Sequence, residues 1–214
     1  MLKGYFFILI LLLLFVSIVV IANEFYDWDE FKVKHLEFIT QKNFTSAKKF
    51  LEVLPDKELS EKEISAGKEQ IELVFKPENF TKLEAIVRKG NLVQFNILYR
   101  LYYISDGAYS EYLSILIGSL IESNPKNFLI AAEKNYNIIQ LIGGLGPIVG
   151  NLGYEYVDKF KQQLSILKKR KKAINNVKIK EDDNISTSIK ELCISELDYQ
   201  INRRKQTISQ INNN

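Results

Sequence analysis

The feature that most constrains this chain is an unbroken apolar run near its front. Residues 5–22 read YFFILILLLLFVSIVVIA, 18 residues with one clearly polar side chain, Ser17, and no charge. Water rejects such a stretch, whereas a bilayer core accepts an apolar helix of about 17–25 residues. Lys3 precedes the run, and Glu24, Asp27, Asp29 and Glu30 come after it. The run is therefore expected to enter a membrane, and residues 1–22 form a targeting unit. Two forms remain open: an uncleaved anchor, which the length slightly favours, or a signal peptide cut after Ala22. Tyr5, Phe6 and Phe7 at one end, with Tyr26 and Trp28 at the other, are placed to form interfacial aromatic belts. In the first form the rest of the chain sits at an inner membrane, facing the periplasm or cell exterior. In the second it is secreted.

Beyond the run, the chain has the makings of a core. It is 46% hydrophobic and 26% charged, which excludes disorder as its general state. The net charge of +3 implies no nucleic-acid partner. Its distribution is uneven: residues 23–154 carry 15 Lys+Arg against 18 Asp+Glu, and residues 155–214 carry 13 against 8. A single cysteine, Cys193, cannot form an internal disulfide and lies far from the apolar run, so it is no lipoprotein acceptor.

Apolar spacing and punctuation predict an all-α fold, a bundle or short solenoid of stacked helical hairpins behind the N-terminal segment. The expected units are a helical domain over 23–174, a linker over 175–185, and a C-terminal helix with a disordered end over 186–214. Phe31, Val33, Leu36, Phe38 and Ile39 open the domain, Asn43-Phe44-Thr45 interrupts it, and Ala47, Phe50, Leu51 and Leu54 resume at helical spacing. Ser60-Glu61-Lys62-Glu63 is a capping box, Gly67 weakens the helix behind it, and Gln70–Phe75 alternates partly like a strand. Pro77 begins another helix. Asn91 caps the next, Ser105-Asp106-Gly107 breaks it, and Asn124-Pro125 starts a helix carrying apolar residues from Phe128 to Leu141 over a wide arc, which places it centrally. Gly143 to Pro147 is a break. A long helix is expected from Tyr154 to the basic run Lys168–Lys172, and a final one from about Ser186 with Ile194, Leu197, Ile201 and Ile208 inward.

The stretch ILYRLYYISDGAYSEYLSILIGSLIESNPKNFL, residues 97–129, resembles a segment of uncharacterised exported bacterial proteins with a helical, HEAT-like fold. The likeness rests on a helix, the Asp106-Gly107-Ala108 turn, a second helix and the Asn124-Pro125 cap, about a sixth of the chain. It implies a fold and an address but no activity. Many such proteins are lipoproteins, and the cysteine they use is lacking here.

No chemistry-bearing pattern is complete. Four Ser-x-x-Lys pairs (Ser46/Lys49, Ser65/Lys68, Ser123/Lys126 and Ser165/Lys168) lack the companion elements of penicillin-recognising enzymes. Gly143, Gly144, Gly146 and Gly150 do not match a dinucleotide loop and come after a helix, not a strand, so they read as a helix break. His35 is the one histidine and reads as a surface or boundary residue, not a metal ligand. Lys168–Lys172 reads as a solvated helix end, where cations suit the helix dipole. Tyr99, Tyr102, Tyr103, Tyr109 and Tyr112 crowd the Asp106 turn, and tyrosine serves well as an interface anchor. Tyr102, Tyr103, Asp106 and Tyr109 are therefore the candidate binding residues. No catalytic residue, metal or small-molecule cofactor is expected. The partners are the membrane, through residues 5–22, and another protein. A non-enzymatic helical binding module of the bacterial cell envelope is the leading reading. The alternatives are an envelope hydrolase with a site of scattered residues, or an immunity-type protein that occludes a toxin.

Overall fold

A computed structural model describes residues 26–180 and 185–213, without the side chains of Tyr154 and Asn213. The apolar run 5–22 and residues 181–184 of the expected linker lie outside the described residues. Helix succeeds helix: α1 (Trp28–Gln41), α2 (Phe44–Val53), α3 (Glu61–Ala66), α4 (Lys68–Phe75), α5 (Pro77–Val87), α6 (Leu92–Ile104), α7 (Gly107–Ser119), α8 (Pro125–Lys134), α9 (Tyr136–Leu141), α10 (Gly146–Gly150), a 3-10 turn (Tyr154–Tyr156), α11 (Phe160–Asn175) and α12 (Thr187–Asn213). Among the described residues there is no strand, and the helices pack as a bundle. No helix among them is long and apolar enough to cross a membrane.

The 128–141 segment is central, as its wide apolar arc suggested, with Phe128, Leu129, Ala131, Ala132, Ile138 and Ile139 buried, and it packs on α6. Helices α2, α5, α7, α8 and α9 all pack on α6. Ten of its residues are buried, including Gln94, Asn96 and Arg100. These polar side chains conceal the burial of the helix in the sequence, and each is bonded in the core. Gln94 and Asn91 form a capping box, and Gln94 Nε2 also donates to Ile86 O at 2.9 Å. Arg100 Nη1 donates to Leu51 O at 2.9 Å and Leu54 O at 3.0 Å, closing the end of α2. Its Nε donates to Asn135 Oδ1 at 3.4 Å, Asn135 Nδ2 donates to Asn96 Oδ1 at 2.7 Å, and Asp56 lies 3.9 Å from its Nη2. Asn135 is also where the expected 125–141 helix divides into α8 and α9.

The N-terminal helices are held by aromatic contacts. Tyr26, Trp28, Phe31 and Phe50 form a chain of tilted and edge-on pairs with centroids 4.4 to 5.6 Å apart. The Tyr26 hydroxyl donates to Val53 O, and Trp28 Nε1 donates to Glu63 O at 2.9 Å. Trp28 is thus buried inside the bundle and cannot serve the interfacial belt expected of it. Its indole lies where a Cβ on Gly67 would stand, and this close approach puts glycine at the boundary of α3 and α4. The segment Gln70–Phe75 is helical, with Ile71, Val74 and Phe75 buried at helical spacing.

His35 is fully buried, not a surface residue. Phe31, His35 and Phe38 stand at i, i+4 and i+7 and form the inner face of α1, which leaves Val33 and Leu36 exposed. His35 packs on the Phe50 ring at 5.4 Å, and neither ring nitrogen has a hydrogen-bond partner.

At the other end α11 starts at Phe160, after the 3-10 turn and not at Tyr154, and α12 packs along α11, α10 and α8. Its inner stripe is Ile189, Cys193, Leu197 and Ile201, continued upstream by Ile185. Lys171 Nζ lies 2.6 Å from both Asp198 oxygens, and Lys190 Nζ donates to Asn175 O and Val177 O. These pairs set α11 and α12 antiparallel. Gly143 and Gly144 take φ of 91° and 79°, so the glycine segment is the break it reads as. Burial pushes the Cys193 thiol up to about 12.

This packing carries two stability effects. Arg100→Met removes the only side chain reaching Leu51 O and Leu54 O among the described residues, and should cost about 3 kcal/mol in urea unfolding. Burial lowers the His35 imidazole to about 4. Above pH 6.5, its ordinary value, folded and unfolded chains are both neutral there and stability is full. As the pH falls from 6.5 to about 4 the unfolded chain alone takes the proton, so stability drops by about 3 kcal/mol over that window. His35→Leu should remove that component of the pH dependence, read from unfolding midpoints across it.

Candidate functional site

The candidate tyrosines sit where α6 turns into α7. Ser105 ends α6 in extended conformation, its hydroxyl donating back to Tyr102 O at 2.8 Å. Gly107, the first residue of α7, takes φ of 43°, a left-handed value, and lets the chain turn directly into the next helix. Asp106 is the N-cap of α7, and its carbonyl accepts from Tyr109 N and Ser110 N. Its carboxylate makes no capping bond and is exposed.

Three of the four candidates meet in one place. Tyr103, Asp106 and Tyr109 line a cleft of about 260 Å³ whose other wall is α3 and α4, through Ile64, Ile71 and Phe75. Tyr109 remains 38% exposed although its ring stacks on Phe75 with centroids 4.6 Å apart. The Tyr103 hydroxyl accepts from Leu59 N at 2.6 Å, tying the 54–60 connection to the cleft floor. Tyr102 does not join them. It is one position from Tyr103 and so about 100° round the helix; it is buried, and burial raises its hydroxyl. Tyr99 is fully buried with an unbonded hydroxyl, raised well above its ordinary value by burial. Tyr112 stands edge-on to Phe80 at 5.2 Å, outside the cleft.

The cleft has an apolar floor and a charged rim. Lys68 and Glu72 face each other there at 3.9 Å, both well exposed, a pairing worth little in water. Ser65 and Lys68, one of the Ser-x-x-Lys pairs, both border the cleft. Lys68 lacks the desolvation that turns a lysine into a base. In two of the other pairs the serine hydroxyl is engaged by backbone: Ser46 donates to Asn43 O and Ser123 to Leu120 O. The carboxyl groups held below their ordinary value are Glu37, by its hydrogen bond to Lys49, and Glu63, by its bonds to Ser60. Neither lines this cleft. No cluster of His, Cys, Asp and Glu suited to a metal ion occurs among the described residues.

A larger cavity, of about 440 Å³, lies elsewhere, between α7, the 3-10 turn region and α11. Arg170 lines it, and sequence reasoning missed that residue. It stands in the Lys168–Lys172 run, yet the expectation of a solvated helix end fails here: Arg170 is 3% exposed. Its Nη1 donates to Val149 O and Asn151 O, both at 2.8 Å. The one signal in the sequence was an arginine among lysines, the cation better suited to burial.

Comparison with protein-family models, with curated proteins and with solved structures returns no match. The resemblance of residues 97–129 to exported HEAT-like proteins gains nothing from them.

Tyr103→Phe removes the acceptor of Leu59 N–H. It should lower folding stability by about 1 kcal/mol and speed hydrogen exchange at the Leu59 amide, with amides of α6 far less affected.

Proposed function

We propose that this protein is a non-enzymatic helical binding module of the bacterial cell envelope, whose Tyr103–Asp106–Tyr109 cleft receives an apolar side chain of a partner protein. Residues 5–22 tether it to the inner membrane with the bundle facing the periplasm or exterior, or direct its secretion if cut after Ala22. The observation that carries the reading is the exposed Tyr109 ring, stacked on Phe75 above an apolar floor and flanked by the uncapped Asp106 carboxylate. A rigid aromatic backed by a second ring loses little entropy on docking, which is why tyrosines anchor interfaces. Asp106 on the rim favours a partner segment with a lysine or arginine beside its apolar anchor.

The tether reading rests on the length and apolarity of residues 5–22. Only Asn23, Glu24 and Phe25 separate Ala22 from Tyr26, where the aromatic contacts begin. Three extended residues span about 10 Å, so an uncleaved anchor would hold the bundle against the headgroups and limit it to partners at or near the bilayer.

N-terminal sequencing of the protein recovered from fractionated cells decides between anchor and cleaved peptide. Recovery of the intact chain from the cytosol would defeat the address altogether. For the cleft, crosslinking in membranes and then recovery of the full chain should yield a defined partner. Tyr109→Ala should reduce that capture about tenfold or more, as loss of a hot-spot aromatic does, while leaving the unfolding midpoint within a few degrees. Equal capture by wild type and Tyr109→Ala would reject the cleft as the docking surface.

A further inference from the structure

Of the helices described, α3 alone buries no side chain. It packs on α4, and its one apolar contribution to the core is the half-buried Ile64. Its ends are held far better than its middle. Before it, Leu59 is buried and donates its N–H to the Tyr103 hydroxyl at 2.6 Å. After it, Gly67 is buried against the Trp28 indole, and α4 sinks Ile71, Val74 and Phe75 into the core. Between these anchors Trp28 Nε1 holds α3, donating to Glu63 O at 2.9 Å.

A short helix fixed at both ends and lightly held between them is a strap, able to turn about the line that joins its anchors. Turning it costs little. Only half of Ile64 leaves the core, and the Ser60–Glu63 capping box is internal to the segment and travels with it. Segments with so few buried contacts open far below the free energy of global unfolding. What α3 covers is the Tyr109 cleft, where Ile64 and Ser65 stand across from Tyr103, Ile104 and Tyr109. With α3 in place the cleft measures about 260 Å³, under the roughly 300 Å³ at which ligand pockets begin.

We infer that α3 is a lid on the Tyr109 cleft, pivoting at Leu59 and Gly67 and latched by the Trp28 indole. Closed, it leaves room for one side chain. Open, it lengthens the apolar floor along Ile71 and Phe75 and admits a longer segment of the partner. The use of the lid rests on the docking role proposed for the cleft, but its motion is measured with no partner present. An immobile α3 therefore rejects the lid alone, whereas equal capture by Tyr109→Ala rejects the docking surface alone.

Hydrogen exchange of the full chain in detergent, followed through low urea concentrations, tests the opening. The Ile64 and Gly67 amides, bonded to Ser60 O and Glu63 O, should exchange at least a hundredfold faster than Leu98 and Leu101 in α6, through an opening that urea hardly affects. Trp28→Phe removes the latch and should speed these two amides about tenfold, the worth of one hydrogen bond, with α6 unchanged. Thiol labelling then reads the cleft itself. An Ile71→Cys thiol should label about tenfold faster when Trp28→Phe is added. Ser60→Ala, which breaks the capping box and leaves every core side chain in place, should speed the same labelling about fivefold. Cys193, fully buried on α12, reports global opening in the same sample and should label no faster in either variant. Exchange of α3 with the urea dependence of α6, equal acceleration at Cys193, or Ile71→Cys labelling unmoved by both variants would each overturn the lid.

Discussion

Several helices of this bundle end inside it, and their terminal carbonyls must find donors away from water. That requirement organises the structure. A helix leaves its last carbonyls without partners in its own ladder. The carbonyls of Leu51 and Leu54 at the end of α2, and of Val149 and Asn151 at the end of α10, receive one buried arginine each, from α6 and α11. Arg100 bonds carbonyls 46 and 49 residues away, and Arg170 bonds carbonyls 19 and 21 residues away. The two guanidiniums therefore fix helix positions that apolar packing alone, which has no direction, leaves free to slide. Burial lowers both groups from their ordinary value, Arg170 to about 10.

The same device has different consequences at its two sites. Around Arg100 the shell is closed by Asn135, Asn96 and Asp56, and the group belongs wholly to the fold. Around Arg170 the bonds to two carbonyls are made by Nη1, and Nε is buried without a partner. The Tyr109 cleft is of another kind. It is apolar beneath with charges only at the rim, and its walls belong to helices α3, α4, α6 and α7. The Tyr109 cleft presents exposed aromatic area, whereas the Arg170 cavity is lined by charges of both signs, Arg88 and Arg170 with Glu122 and Glu155.

Much of the local structure was legible in the chain. The capping box at Ser60–Glu63, the Asn91 cap, the proline starts at Pro77 and Pro125 and the Gly143-Gly144 break depend on neighbours within a few residues, and they form as read. The misreadings share a cause. His35 reads as a surface residue because it is polar, yet its spacing from Phe31 and Phe38 puts it on the inner face, against Phe50. Trp28 reads as a membrane-interface ring because it comes soon after the apolar run, yet Gly67 gives it a seat inside the bundle. Arg170 reads as one charge of five on a solvated end, yet Gly118 opens a path for it under α7. In each case the partner that decides the outcome lies at least 15 residues away. Of the candidate site, the turn and two of its rings were readable, because Ser105-Asp106-Gly107 is a local signal. The opposite wall of Ile64, Ile71 and Phe75 was not, because nothing in those helices marks which neighbour they will face.

The sequence by itself determined that the described part of this chain is helical, where most of its helices begin and end, and that residues 5–22 are too apolar for an ordinary place in water. These properties arise from backbone capping, side-chain spacing and transfer free energy, each set by residues close together along the chain. Tertiary structure alone decided which helices pack on α6, that Arg170 is buried, and that α3 and α4 close one side of a cleft. Those outcomes depend on which helix ends meet inside the bundle, and a buried donor finds its acceptor by distance in space, which spacing along a chain does not encode.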